Sequence, residues 1–145
     1  MQRFNFWQKW LFVVSLGITT FGLFMALFNR TPLFDLFNGQ IDSAFWDSAA
    51  SFPESVAPFQ GWLYGAWGAT VAGWGIFLAF IAHYPFKQRE KWAWNCLVWG
   101  LGIWFVLDTG ISWYYGVTFN VVFNIVVTLA AGLPLVFTRD QFKNR

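Results

Sequence analysis

The stretch Trp92–Phe137, WAWNCLVWGLGIWFVLDTGISWYYGVTFNVVFNIVVTLAAGLPLVF, decides the fold. It holds two apolar runs, each long enough to cross a bilayer as a helix, joined by Trp113-Tyr114-Tyr115-Gly116. So short a link makes the two helices antiparallel neighbours. The first run carries a lone acid, Asp108, and the second carries Asn120 and Asn124, one helical turn apart. Placing such groups in lipid-facing helices is costly, so any function beyond packing is to be sought among them.

Composition supports a lipid solvent for the whole chain. Charged residues make up 11% of the 145 positions, against about 25% in ordinary soluble domains. Hydrophobic residues reach 57%, and aromatics 23% with 11 Trp and 19 Phe. A water-soluble domain needs a charged shell that this chain does not supply. Its length suits a single domain, residues 1–145. A formal net charge of +2 gives no basis for nucleic acid as a partner. The single cysteine, Cys96, excludes an intrachain disulfide and a cysteine-based metal cluster, and its apolar setting reads as inert packing.

Upstream lie two further spans. An aromatic-basic head containing Arg3, Phe4, Trp7 and Lys9 precedes an uncharged run from Trp10 to Phe28. That run is too long for a signal-peptide core and no A-x-A site follows it, so it reads as a retained helix. Its Ser15, Thr19, Gly22 and Ala26 form one small face suited to close helix contact. The run from Gly61 to Ala82 is rich in glycine and alanine, with small-x-x-x-small pairs such as Gly68/Ala72. Close packing within the monomer is the expected use. The four predicted spans are therefore 10–28, 61–82, 92–114 and 117–138. In the last of them Pro134 removes the bond to the Ala130 carbonyl, which favours a bend.

The only long connection, 29–60, carries Asp35, Asp42, Asp47 and Glu54 but keeps Phe34, Phe37, Phe45 and Trp46. One or two short helices capping the bundle are expected, with Thr31-Pro32 as a helix start and Asn38-Gly39 as a turn. The sequon Asn29-Arg30-Thr31 abuts the membrane and reads as a chance match. With four spans, both termini and the turn 86–91 share one side. That side holds eight of the nine basic residues, leaving Arg30 alone on the other. The basic side is cytoplasmic by the positive-inside rule, which makes the long connection an outer loop.

At about 1.5 Å per residue, Asp108 lies roughly 10 Å below the turn. Asn120 and Asn124 bracket the same depth on the fourth span. Thr70 of the second span and Thr19 of the first fall near it, Ser112 extends the layer outward, and Thr128 extends it inward. The expected bond runs from the acid, as donor, to an asparagine carbonyl. A purely structural tie between the last two helices is worth only about 0.6 kcal/mol on average. That return does not clearly offset about 2.5–3.5 kcal/mol for a charged Asp at the centre of a helix, which favours a functional role. Trp104, with Trp67, Trp74 and Trp99, reads first as packing mass and second as a pocket wall.

From Trp62 onward, Trp62-Leu-Tyr-Gly-Ala-Trp-Gly-Ala69, Gly73-Trp74-Gly75, Arg89-Glu-Lys-Trp-Ala-Trp94 and Trp104-Phe-Val-Leu-Asp-Thr109 together resemble small uncharacterised bacterial four-helix integral membrane proteins. The resemblance implies four spans and a bacterial inner membrane, and implies no activity.

The reading is an all-α, four-helix transmembrane bundle that binds a small or lipid-like ligand, or a proton, at an outer-leaflet layer. Its candidate site is Asp108, Asn120, Asn124, Ser112, Thr70, Thr19 and Trp104. The second reading is an accessory subunit of a larger membrane complex, with membrane lipids and other subunits as partners. An enzyme comes third, because one acid without a second catalytic group is thin. No cofactor or metal motif is present, and a single histidine, His83, excludes bis-His haem ligation within one chain.

Overall fold

The computed structural model describes residues 2–46 and 53–143. Asp47 of the long connection and Arg145 of the tail lie outside the described residues. All regular structure in them is helical: α1 (Gln2–Phe28), α2 (Asp35–Asp42), α3 (Ala57–His83), α4 (Lys91–Tyr114) and α5 (Thr118–Thr138). A 3-10 turn, Arg139–Phe142, follows α5. Four helices (α1, α3, α4, and α5 with its 3-10 extension) are long and apolar enough to cross a membrane. Their outer surfaces are apolar as well, with Leu27, Phe77, Trp99 and Val136 all exposed. Such a surface is compatible with a membrane protein and unlike a water-solvated one.

α1 begins eight residues before the expected span, at Gln2 rather than Trp10. Its first two turns stay helical because Phe4 is buried against Phe86 and Phe142, with ring centroids 5.9 and 6.1 Å away. The N-terminal head, the turn after α3 and the C-terminal tail thus converge on one aromatic cluster at one end of the bundle. The Arg89 guanidinium sits 4.8 Å above the Phe4 ring, a cation–π contact.

α1 packs along α3 and also touches α5, and α4 packs on α5. The α1–α3 seam is the closest. Small residues on the two helices (Gly22 and Ala26 against Gly68 and Ala72) leave the backbones in contact. A Cβ added to Gly68 would lie 2.6 Å from the Gly22 carbonyl oxygen. One added to Gly75 would lie 2.6 Å from the Thr19 amide nitrogen. The small faces of the two spans thus meet within the chain.

Backbone carbonyls left without helical partners find side chains, as a low-dielectric surround requires. Pro134 cannot bond the Ala130 carbonyl, yet α5 continues through it. That carbonyl accepts a hydrogen bond from the Trp10 indole N–H at 2.9 Å. Trp94 donates to the Leu135 carbonyl and Gln8 to the Ala82 carbonyl, each at 2.9 Å. At the end of α4, Gly116 adopts φ +72°. There Val117 N–H bonds the Ser112 carbonyl at 2.8 Å and Gly116 N–H the Trp113 carbonyl at 3.1 Å, a Schellman stop.

The connection between α1 and α3 departs from its local sequence signals. Thr31 does not start a helix. Its hydroxyl donates to the Phe28 carbonyl at 2.7 Å and so finishes α1, and α2 begins only at Asp35. Asn38-Gly39 lies inside α2 instead of forming a turn. Tertiary packing overrides the turn preference here. Phe34 and Phe37 dock on Phe24 of α1, and the same pair reaches Tyr64 of α3 and Phe119 of α5. The Asn29 amide is occupied with the Met25 carbonyl at 2.9 Å. Cys96 is exposed on α4 and is not a packing residue of the interior.

Candidate functional site

Asp108 sits half-buried on the face of α4 that meets α5. The Asn124 amide donates to its Oδ2 at 3.0 Å, and the Asn120 amide reaches both carboxyl oxygens at 3.4 Å. Asn120 also donates to Ser112 Oγ at 2.7 Å. The Ser112 hydroxyl gives its own proton to the Asp108 backbone carbonyl at 2.7 Å. Because that proton is spent, Asn120 must face Ser112 with its nitrogen, which orients the amide. The polarity is therefore the reverse of the expected one: the asparagines donate and the carboxyl accepts. Thr109 Oγ1 takes a further bond from Asn124 at 3.3 Å.

The polar layer spans two helices, not four. Thr70 is exposed on α3 and donates to the Ala66 carbonyl of its own helix at 3.0 Å. Thr19 lies in the α1–α3 seam against Gly75 and donates to the Ser15 carbonyl at 3.0 Å. Depth counting says nothing of the direction each residue faces. The small stripe of α3 turns toward α1 and carries Thr70 away from Asp108. Thr128 Oγ1, on α5 one turn beyond Asn124, is buried without a hydrogen-bond partner.

α3 and α4 are not among the closely packed helix pairs. The gap between them is crossed by Trp74 and Trp104, with ring centroids 5.5 Å apart. On one side of this pair lies a cavity of about 210 Å³, lined by apolar residues of all four long helices and by Ser15 and Cys96. On the other side lies a cavity of about 290 Å³, walled by Leu63, Trp67, Ile111, Tyr115, Phe45 and Phe59 among others. Asp108, Ser112 and Asn120 form part of its lining, while Asn124 stands behind them, nearly wholly buried. Trp67, Ile111 and Tyr115 are themselves exposed, so this cavity opens on the side of the bundle between α3 and α4.

The same cavity gathers residues that the sequence did not single out as a group. Gln60 Nε2 donates to Asp42 Oδ1 at 2.6 Å and stands 3.5 Å from Tyr64 Oη. This chain ties α2 to the first turns of α3. Burial pushes the Asp42 carboxyl above its ordinary range, and the Gln60 bond pulls it the other way. The available signal was the spacing of Gln60 and Tyr64, one turn apart on a face shared with Gly68. Pairing Asp42 with that face required the path of the connection. His83 lies against Phe12 and Tyr84, near the other end of α3.

No group of three His, Cys, Asp or Glu side chains among the described residues is placed to hold a metal ion. Chemically the site offers two carboxyls, Asp108 and Asp42, each held by neutral amides, with the Ser112 hydroxyl and an aromatic wall. It can bind and orient a polar group at the mouth of an apolar cleft. Comparisons with known protein families, with curated proteins and with solved structures each find no match.

Proposed function

We propose that the protein is a multi-pass protein of a bacterial plasma membrane that binds a small or lipid-like ligand in the α3–α4 cleft, with Asp108 as the polar anchor. The observation that carries this reading is the cavity of about 290 Å³ that opens sideways beside a fixed carboxyl. That size approaches the lower end of small-molecule sites, roughly 300–1,000 Å³, and the mixture of apolar wall and few oriented polar groups is typical of them. A tie whose only task was to join α4 to α5 would need no such opening. Asn120 and Asn124 hold the carboxyl, Ser112 fixes Asn120, and Phe59, Leu63 and Trp67 form the apolar wall.

Both termini are proposed to be cytoplasmic, because the end bearing Phe4, Phe86 and Phe142 also carries seven of the eight basic residues among those described, all but Arg30. The cleft then faces the outer leaflet. In a Cys96→Ser background, Ser43→Cys is expected to react with an impermeant thiol reagent on intact cells. Gln88→Cys should react only after lysis, and the reverse pattern would place the cleft in the inner leaflet.

The ligand reading is tested by a photo-reactive phenylalanine derivative at Leu63, on the cavity wall, irradiated in intact membranes. The expected product is a discrete low-mass adduct that is absent when the same group replaces Ile76, exposed elsewhere on α3. A cross-link to a second polypeptide, or the same bulk-lipid products at both positions, would refute it.

A further inference from the structure

Among the described residues, the lining of the α3–α4 cleft carries two acids on different elements, Asp42 of α2 and Asp108 of α4, and no Lys, Arg or His. Each carboxyl is held by neutral amides only: Asp42 by Gln60 at 2.6 Å, Asp108 by Asn124 at 3.0 Å and Asn120 at 3.4 Å. The ion pair found among the described residues, Lys143–Asp140, lies on the exposed tail and leaves both acids without a cation. Amide donors orient a carboxylate but do not cancel its charge, and in a low-dielectric cleft an uncompensated anion strongly favours a cation beside it. The remaining wall is aromatic, including Phe45, Trp46, Phe59, Trp67 and Tyr115. Rings of this kind attract ammonium groups through their electron-rich faces, most strongly where water is excluded.

We infer that the cleft recognises an amphipathic cation, an ammonium group attached to an apolar body. The ammonium lies between Asp42 and Asp108, and the apolar body rests on the aromatic wall toward the side opening. This rests on the reading of the cleft as a ligand site and adds the charge that the ligand must carry. An anionic or merely hydroxylated amphiphile meets two acids with nothing to balance them. The ammonium has two sources of equal chemistry, a free amphipathic amine and the headgroup of an aminophospholipid.

The test uses the full chain in a neutral maltoside detergent and three probes each built on a six-carbon chain: hexyltrimethylammonium, 1-hexanol and hexanoate. Calorimetry should show the cation binding one per chain, at least about ten-fold more tightly than 1-hexanol, with hexanoate weakest. Asp42→Asn and Asp108→Asn should each reduce cation affinity by about ten-fold or more while 1-hexanol binding persists, which also shows that the variants are folded. Equal binding of 1-hexanol and the cation by the wild type would overturn the inference while leaving the ligand site standing. Failure of all three probes to bind would overturn both. Preloading with phosphatidylethanolamine, compared with phosphatidylglycerol, separates the sources. Loss of probe binding only with the former assigns the headgroup, and no effect of either assigns a free amine.

Discussion

Gly68→Ala is expected to unfold the bundle or to lower its melting temperature sharply, although it adds a single methyl group. The new Cβ would lie 2.6 Å from the Gly22 carbonyl oxygen and against the Ala26 backbone. Overpacking a core costs about 1–3 kcal/mol even where side chains can shift. Here the obstacles are backbone atoms of another helix, so α1 and α3 must separate along their length. Gly73→Ala is the matched control. Nothing lies within 4 Å of its added Cβ, so only the helix propensity changes. Ala is about 1 kcal/mol better than Gly in a helix interior, and this variant should melt at or slightly above the wild type. Thermal melts in detergent read both, and a Gly68→Ala protein as stable as the wild type would show that the seam is looser than described.

That seam was legible in the sequence. Ser15, Thr19, Gly22 and Ala26 on one helix and Gly68, Ala72 and Gly75 on the other repeat at steps of three and four. Two such stripes in one chain have each other as the nearest partner. The pairing of α4 with α5 was equally readable, because Trp113 to Gly116 leaves no room for another arrangement. The connection was not readable residue by residue. Thr31-Pro32 and Asn38-Gly39 have strong local preferences, yet Phe34 and Phe37 bury themselves on three helices and pull the intervening residues into α2. Burial of two phenylalanine side chains, at about 1.5–3 kcal/mol each, outweighs a turn preference worth less.

The candidate site was half legible. Depth along an antiparallel pair brought Asp108 level with Asn120 and Asn124, and the hydrogen bonds join them. Depth carries no azimuth, which is why Thr70 and Thr19 do not join the site. The cavity itself follows from the looser packing of α3 and α4 compared with the α1–α3 seam, and no single-helix pattern encodes that. Asp42 and Gln60 belong to the cavity because α2 folds back over the end of the bundle, a long-range event invisible to local spacing.

Asp108→Asn is expected to keep the fold and lose the ligand. Asn matches Asp in size and retains hydrogen-bonding capacity toward Asn120 and Asn124, but it carries no charge. If Asp108 only tied α4 to α5, the substitution would leave stability and any bound molecule unchanged. In that case Asp108→Ala would cost about a kilocalorie, as interhelical bonds in lipid do. If Asp108 anchors a ligand, Asp108→Asn abolishes binding and melts at or above the wild-type temperature of the ligand-free protein, since functional groups are often held at a cost to stability.

The most direct measurement is native mass spectrometry of wild type and Asp108→Asn, released side by side from membranes in a mild detergent. The wild type should carry one small adduct per chain, and the folded variant should carry none. An adduct of equal occupancy on both proteins would make Asp108 a structural residue. A stoichiometric second polypeptide in place of the adduct would contradict a ligand site in the cleft and assign this chain to a larger assembly.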